Sequence, residues 1–239
     1  GLDGFIVSPS TNLEDEHGPL IELIHQNLPL VLVDRKLPGY ETDLVATHGE
    51  LGAEQVVSHL IELGHRRIGY LGIEGLSTLD DRLRGYYQVM QEHGLPVEEA
   101  WVGNRRDVVR DHGREEARRI LSLPPQQRPT AFFGANDVLA ETIVVAAREM
   151  GIDVPGELSV AGFDDVNIDP STPAWLTTYA QPKQRIGQQA ARLLMNQIQR
   201  PTGRNTVILL EGQLVERAST GPAPASRAGP RPARPTSTR

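Results

Sequence analysis

The chain has 239 residues and no cysteine, which excludes disulfide frameworks, thiolate metal sites and cysteine nucleophiles. No apolar run approaches the ~18 residues of a membrane helix, and no charged-then-apolar leader follows Gly1. The net charge is −7, and the four Arg of 218–239 face no acid there, so removing them leaves −11 on the rest, a surface that repels phosphate backbones.

In chain order, Phe5-Ile6-Val7 reads as a strand and Leu20 to Gln26 as a helix. Leu30 to Val33 is a second strand. Gly52 to Leu63 is helical, with Val56, Leu60 and Leu63 on one stripe. Gly64 stops it, and His65, Arg66 and Arg67 place positive charge at its carboxyl end. Ile68 to Leu71 is the next strand, and Gly69, Gly72 and Gly75 read as turn residues. Arg82 to His93 and Arg114 to Leu121 are helical, closed by Gly94 and by Pro124-Pro125. Ala131-Phe132-Phe133 is a buried strand. Leu139, Ile143, Ala147 and Met150 mark a helix over Asp137 to Met150, ended by Gly151. Ser159 to Phe163 and Leu176 to Tyr179 are strands, Pro182 to Gln199 is a helix, and two short strands follow at Val207 to Leu209 and Gln213 to Val215. From Ala218 onward Pro, Ala, Arg, Ser and Thr dominate, a composition expected of a disordered tail. Continuously apolar strands alternating with helices indicate α/β architecture with open, doubly wound parallel sheets.

Ligands of such sheets sit beyond the carboxyl ends of the strands. The polar residues placed there are Ser8, Asp34, Asn136, Asp137, Asp164, Asp165 and Gln181, with Arg82 opening the helix after Ile68 to Leu71. Acids, amides, one hydroxyl and one guanidinium suit a neutral, hydroxyl-rich ligand. They do not suit a phosphate, which wants glycine-rich amides and several cations. Each residue also has a plainer reading. Asp and Asn after strands cap helices, with Asp137 the foremost candidate. Asp165 could be a turn acid, and Arg82 could pair with Asp80 or Asp81. His65 reads as a helix-end charge, and Trp101 and Trp175 as packing residues. The seven His show no metal-ligand spacing, and no G-x-S-x-G elbow, dinucleotide fingerprint or phosphate loop is present. Neither catalytic residues, metal nor cofactor are expected.

Seven segments in order resemble the LacI/GalR family of bacterial transcription regulators: Asp3–Ser8, Leu30–Arg35, Leu63–Leu71, Asp81–Tyr86, Pro129–Ala140, Val154–Asp165 and Leu176–Pro182. The resemblance runs from Gly1 to Ser219. It implies a periplasmic-binding-protein-like fold of two lobes joined by three crossings, with an effector between them. Carried over motif by motif, it implies effector contacts at Asp34, Arg82, Asn136 and Asp164, and also at Ser8, Thr78 and Gln181. The helix-turn-helix head and the first two strand–helix units of the family are not in this sequence. The N-terminal lobe is therefore expected to be partial, comprising 1–46 and 182–217, beside a C-terminal lobe of 47–181 and the tail 218–239. Lys183 and Val108 stand where members carry aromatics that stack on the ligand.

The resemblance implies a cytoplasmic homodimeric repressor. Its sensing core would take a sugar or nucleoside-like effector, and its operator DNA would be held by the head outside this chain. No membrane contact is expected. The alternative is an extracytoplasmic sugar-binding protein of a transporter, which shares fold and cleft. An enzyme on the same fold would need an activated nucleophile or a metal, and the sequence offers neither.

Overall fold

The computed structural model describes residues 1–9, 18–104, 113–166, 173–200 and 203–224. Two sheets organise them. The first contains β1 (Phe5–Val7), β2 (Leu30–Val33), β3 (Asp43–Thr47) and β9 (Val207–Leu210), in that order and all parallel. Its side chains alternate between faces. Leu30, Leu32, Leu44 and Ala46 pack on one face with Leu20 of helix α1 (Gly18–His25). Val31 and Val45 pack on the other with Ile186 and Ala190 of α6 (Lys183–Gln199). Both faces being covered explains why β2 is apolar throughout.

The second sheet has six strands, ordered β10-β8-β7-β6-β4-β5. They are β4 (Ile68–Gly72), β5 (Val102–Asn104), β6 (Ala131–Gly134), β7 (Ser159–Asp164), β8 (Thr177–Ala180) and β10 (Gln213–Val215). All neighbours are parallel except β10 on β8. Helices α2 (Gly49–Glu62) and α3 (Ser77–Glu92) pack as one pair, and α4 (Arg114–Leu121) and α5 (Asp137–Glu149) as another. The α2–α3 approach is close enough that a Cβ at Gly85 would strike the carbonyl of Glu50, so no larger residue fits there without the helices parting. Phe132, Phe133, Phe163, Tyr70, Tyr86 and Tyr179, all fully buried, fill the core.

The chain passes between the sheets after β3, after β8 and after β9. The expected parallel α/β architecture is found, with β5 added to it and five further differences of detail. First, β3 was not legible, because its ends are polar. Asp43 is 2% exposed, and its carboxylate accepts from Thr206 N and Gln197 Nε2, so a charged residue opens the strand at little cost. Second, β10, expected in the partial lobe of 1–46 and 182–217, belongs to the second sheet. Its partner is β8, with Gln213 opposite Ala180. Third, α3 starts at Ser77, so Arg82 lies inside the helix rather than opening it. Fourth, Gly69 and Gly72 are in β4; Gly75, at φ +88°, makes the turn. Fifth, the tail does not begin at Ala218. Ser219 is fully buried, its hydroxyl donates to Val160 O at 2.6 Å, and Ala223 N donates to Leu63 O at 2.8 Å. A segment without large apolar side chains still packs when its backbone finds partners in the fold.

Candidate functional site

Between the carboxyl ends of the two sheets lies a set of polar groups drawn from both. Its centre is Arg82, one turn into α3 and 3% exposed. The guanidinium lies over the Phe163 ring, 3.7 Å from its centroid. Its Nη1 donates to Ala135 O, just past β6, at 2.6 Å, and its Nη2 to Asp164 Oδ1 at 3.0 Å. Its Nε is buried with no partner. The pairing expected with Asp80 or Asp81 is not found. Arg84, facing outward, holds Asp81 instead.

Asp164 ends β7 at φ +113°. The same Oδ1 also accepts from Gln181 Nε2 at 2.6 Å, and the Gln181 Oε1 accepts from Thr47 Oγ1 at 2.6 Å. Gln181 follows β8 and Thr47 ends β3, so this chain of bonds runs from one sheet to the other. The amide has one polarity that works, since only its nitrogen can donate to a carboxylate.

Asp34 approaches from the first sheet. It follows β2 at φ +68°, with its N–H donating to Val45 O at 3.0 Å. Its nearest cation is Arg35, at 3.6 Å. Burial pushes the Asp34 carboxyl up, Arg82 and then Arg35 pull it down, and Asp164 pushes it up again. Asp34 therefore senses the charges of both Arg82 and Asp164 from the opposite sheet. Nearby, Lys36 N donates to Ser77 Oγ at 3.3 Å, a second direct bond between the two units.

Thus Arg82, Asp164, Gln181 and Thr47 form one bonded network, with Asp34 within electrostatic range of Arg82 and Asp164. Asn136 borders it beside Ala135, but its side chain caps α5 by accepting from Leu139 N at 2.9 Å. Asp137 is not the cap; it is buried and turned toward β8, accepting from Thr178 Oγ1. Asp165 is held by Arg217 Nη2 at 2.7 Å. Ser8 is exposed beyond β1 and Thr78 is half-buried in the first turn of α3; neither side chain joins the network. Val108 lies outside the described residues. Lys183 Nζ donates to Asp165 O at 3.1 Å. Thr47, Ser77 and Arg217 were not foreseen. A hydroxyl at a lobe crossing and a cation two strands away have no signature in spacing.

Residues 57–220 match the family of periplasmic binding protein-like domains. A LacI-family regulatory protein from Chloroflexus aggregans superposes with a TM-score of 0.78 at 33% identity, over 92% of this chain and 77% of that one. The chain belongs to the LacI family. Among other LacI-type regulators, the transcriptional regulator CelR in complex with cellobiose aligns with a TM-score of 0.79 at 28% identity, over 91% of this chain and 66% of that one. The regulator DegA of Bacillus subtilis is 32% identical over 222 residues, which are 92% of this chain and 65% of DegA. The chain spans 61–65% of the length of three curated relatives it matches. None of the described helices is long and apolar enough to cross a membrane.

With the family established, the chemistry of the cleft can be read directly. Carboxylates come from both sheets, Asp34 from the first and Asp164 from the second, and Arg82, bonded to Ala135 O and Asp164 Oδ1, keeps an unpartnered Nε.

Proposed function

We propose that this chain is the effector-sensing core of a LacI-type transcriptional repressor, binding a neutral sugar or sugar-like molecule between its two sheets. The observation that carries this reading is the chain of bonds from Thr47 of the first sheet through Gln181 to Asp164 and Arg82 of the second. A molecule held by both sheets favours one relative arrangement of them. Only such differential affinity can shift an equilibrium. In the whole protein that shift would reach operator DNA through a helix-turn-helix head, in a cytoplasmic homodimer. The acidic charge of the present residues fits a core that leaves DNA contact to another part.

The effector is a hydrogen-bond donor. Vicinal hydroxyls satisfy carboxylates well, whereas a phosphate ester would meet Asp34 and Asp164 with like charge. No catalytic role is proposed, because the cluster lacks a nucleophile activated by a base. The transporter reading shares this cleft, but the matched relatives are regulators, and that favours the repressor.

The test is a calorimetric and thermal-shift comparison of neutral mono- and disaccharides, nucleosides and sugar phosphates. A neutral polyhydroxyl compound is expected to bind and raise Tm. Binding confined to phosphorylated compounds, or to none of these classes, would overturn the assignment.

A further inference from the structure

Asp137 has no task in the effector reading, although its carboxylate is 2% exposed. Asn136 already caps α5, so Asp137 is not needed for that. Its Oδ2 accepts from Val166 N at 2.7 Å, and its Oδ1 from Thr178 Oγ1 of β8 at 2.6 Å. The strand between them, β7, makes room by carrying Gly162, where a Cβ would collide with Asp137 Oδ1.

What Asp137 holds is unusual backbone. Val166 follows Asp164 at φ +113° and Asp165 at φ +51°, two successive residues with a Cβ in a region that favours glycine. Such a turn persists only when its surroundings fix it. Arg82 and Gln181 hold the Asp164 side chain, and Arg217 holds that of Asp165. The backbone N–H on the far side of the turn is held by Asp137.

We infer that Asp137 is a positioning residue: by binding the Val166 N–H and the Thr178 hydroxyl, it fixes the turn that presents Asp164 to the cleft. The groups that face Asp137 are Thr178 from β8, the Val166 N–H, and the charges of Asp164 and Asp165. Burial and then those two acids push its carboxyl up to about 6, against the two hydrogen bonds. The consequence for effector affinity rests on the function proposed above; the role in the turn does not.

Amide hydrogen exchange of the whole chain, read residue by residue by NMR without any ligand, tests the inference. Asp137→Ala should speed exchange at Val166 by about tenfold, the scale of one lost charge-assisted bond, while Tyr70 in β4 stays protected. Asp137→Asn should restore slow exchange, because the amide can accept from Val166 N–H and donate to a reversed Thr178 hydroxyl. Should Asp137→Ala fail to fold, Thr178→Val removes one of the two bonds and should give a smaller rise at Val166. Unchanged Val166 exchange in a folded Asp137→Ala chain, or fast exchange persisting in Asp137→Asn, would overturn the positioning role. If the exchange results hold and no neutral sugar binds, the proposed effector fails while the role of Asp137 stands.

Discussion

The second sheet carries a buried polar network at each end of its strands, and the two are built differently. At the amino ends, His65 is fully buried. Its Nδ1 meets Thr130 Oγ1 at 2.9 Å, and its Nε2 meets Ser159 Oγ at 3.0 Å and Gly221 O at 3.1 Å. Ser219 and Gly221 close the network through Val160, Thr177 and Ser159. With its proton on Nε2, His65 is neutral and every partner is satisfied. At the carboxyl ends the network is built from Arg82, Asp164 and Asp137, Arg82 Nε lacks a partner, and Asp164 and Asp165 have positive φ. A closed neutral network staples the fold. A charged, incompletely satisfied one with backbone at positive φ fits the effector site proposed above.

Breaking the staple gives the largest effect expected. His65→Ala removes a buried ring and leaves Thr130 and Ser159 short of partners, a loss of about 2–4 kcal/mol. Urea denaturation of the two chains measures it. Effector affinity should not change wherever the variant is folded, and a fall in affinity equal to that from cleft variants would erase the distinction between the two ends.

Acid titration separates the ends by sign. Asp137 is raised, to about 6 from 3.8. Its contribution to stability is full below pH ~3.8 and is lost as pH rises through ~6, on the order of 3 kcal/mol at most. His65 is lowered from 6.5, chiefly by burial. Its contribution is present above pH ~6.5 and is lost as pH falls through its folded value. Relative to wild type, the stability of Asp137→Asn should therefore rise with pH across this window, and that of His65→Gln should fall. Parallel slopes in the two variants, followed by denaturant midpoint against pH, would refute the opposition.

At the cleft itself, Arg82→Ala or Asp164→Ala should weaken effector binding by about 1.5–3 kcal/mol, the scale of a charged hydrogen bond. Calorimetry with the compound that binds best is the measurement. Equal affinities in wild type and both variants would remove the site from this end of the sheet.

The sequence made the two ends unequally legible. Strand ends followed by Asp34, Asn136, Asp164 and Gln181 stand out because a strand's carboxyl end is where ligands of open sheets bind, and periodicity locates strands well. Arg82 does join Asp164, but from inside α3, where it is buried, and not from the mouth of the helix. His65 was misread as a solvated helix-end charge, since nothing local announces that Thr130, Ser159 and Gly221 converge on it from 65, 94 and 156 residues away. Asp137 was misread as a cap, because Asn136 and Asp137 compete for that role and only the position of Thr178 decides between them. Local chemistry survives in a sequence; closure of a long-range network does not.

The smallest effect concerns the bond that joins the charged end to the other sheet. Thr47 Oγ1 donates to Gln181 at 2.6 Å, and Gln181 donates to Asp164 at the same distance. Thr47→Val keeps the shape and deletes the first donor. The Gln181 oxygen loses one partner in a partly buried place, so a loss of about 1 kcal/mol in stability is expected. The two sheets would also lose one constraint on their relative placement, so small-angle scattering of the ligand-free chain should show a broader distribution of dimensions. His65→Phe, at the other end of the strands, should lower stability without broadening it. If Thr47→Val matches wild type in both measurements, the bond from Thr47 through Gln181 does not couple the cleft to the first sheet, and the contrast between the two ends reduces to charge alone.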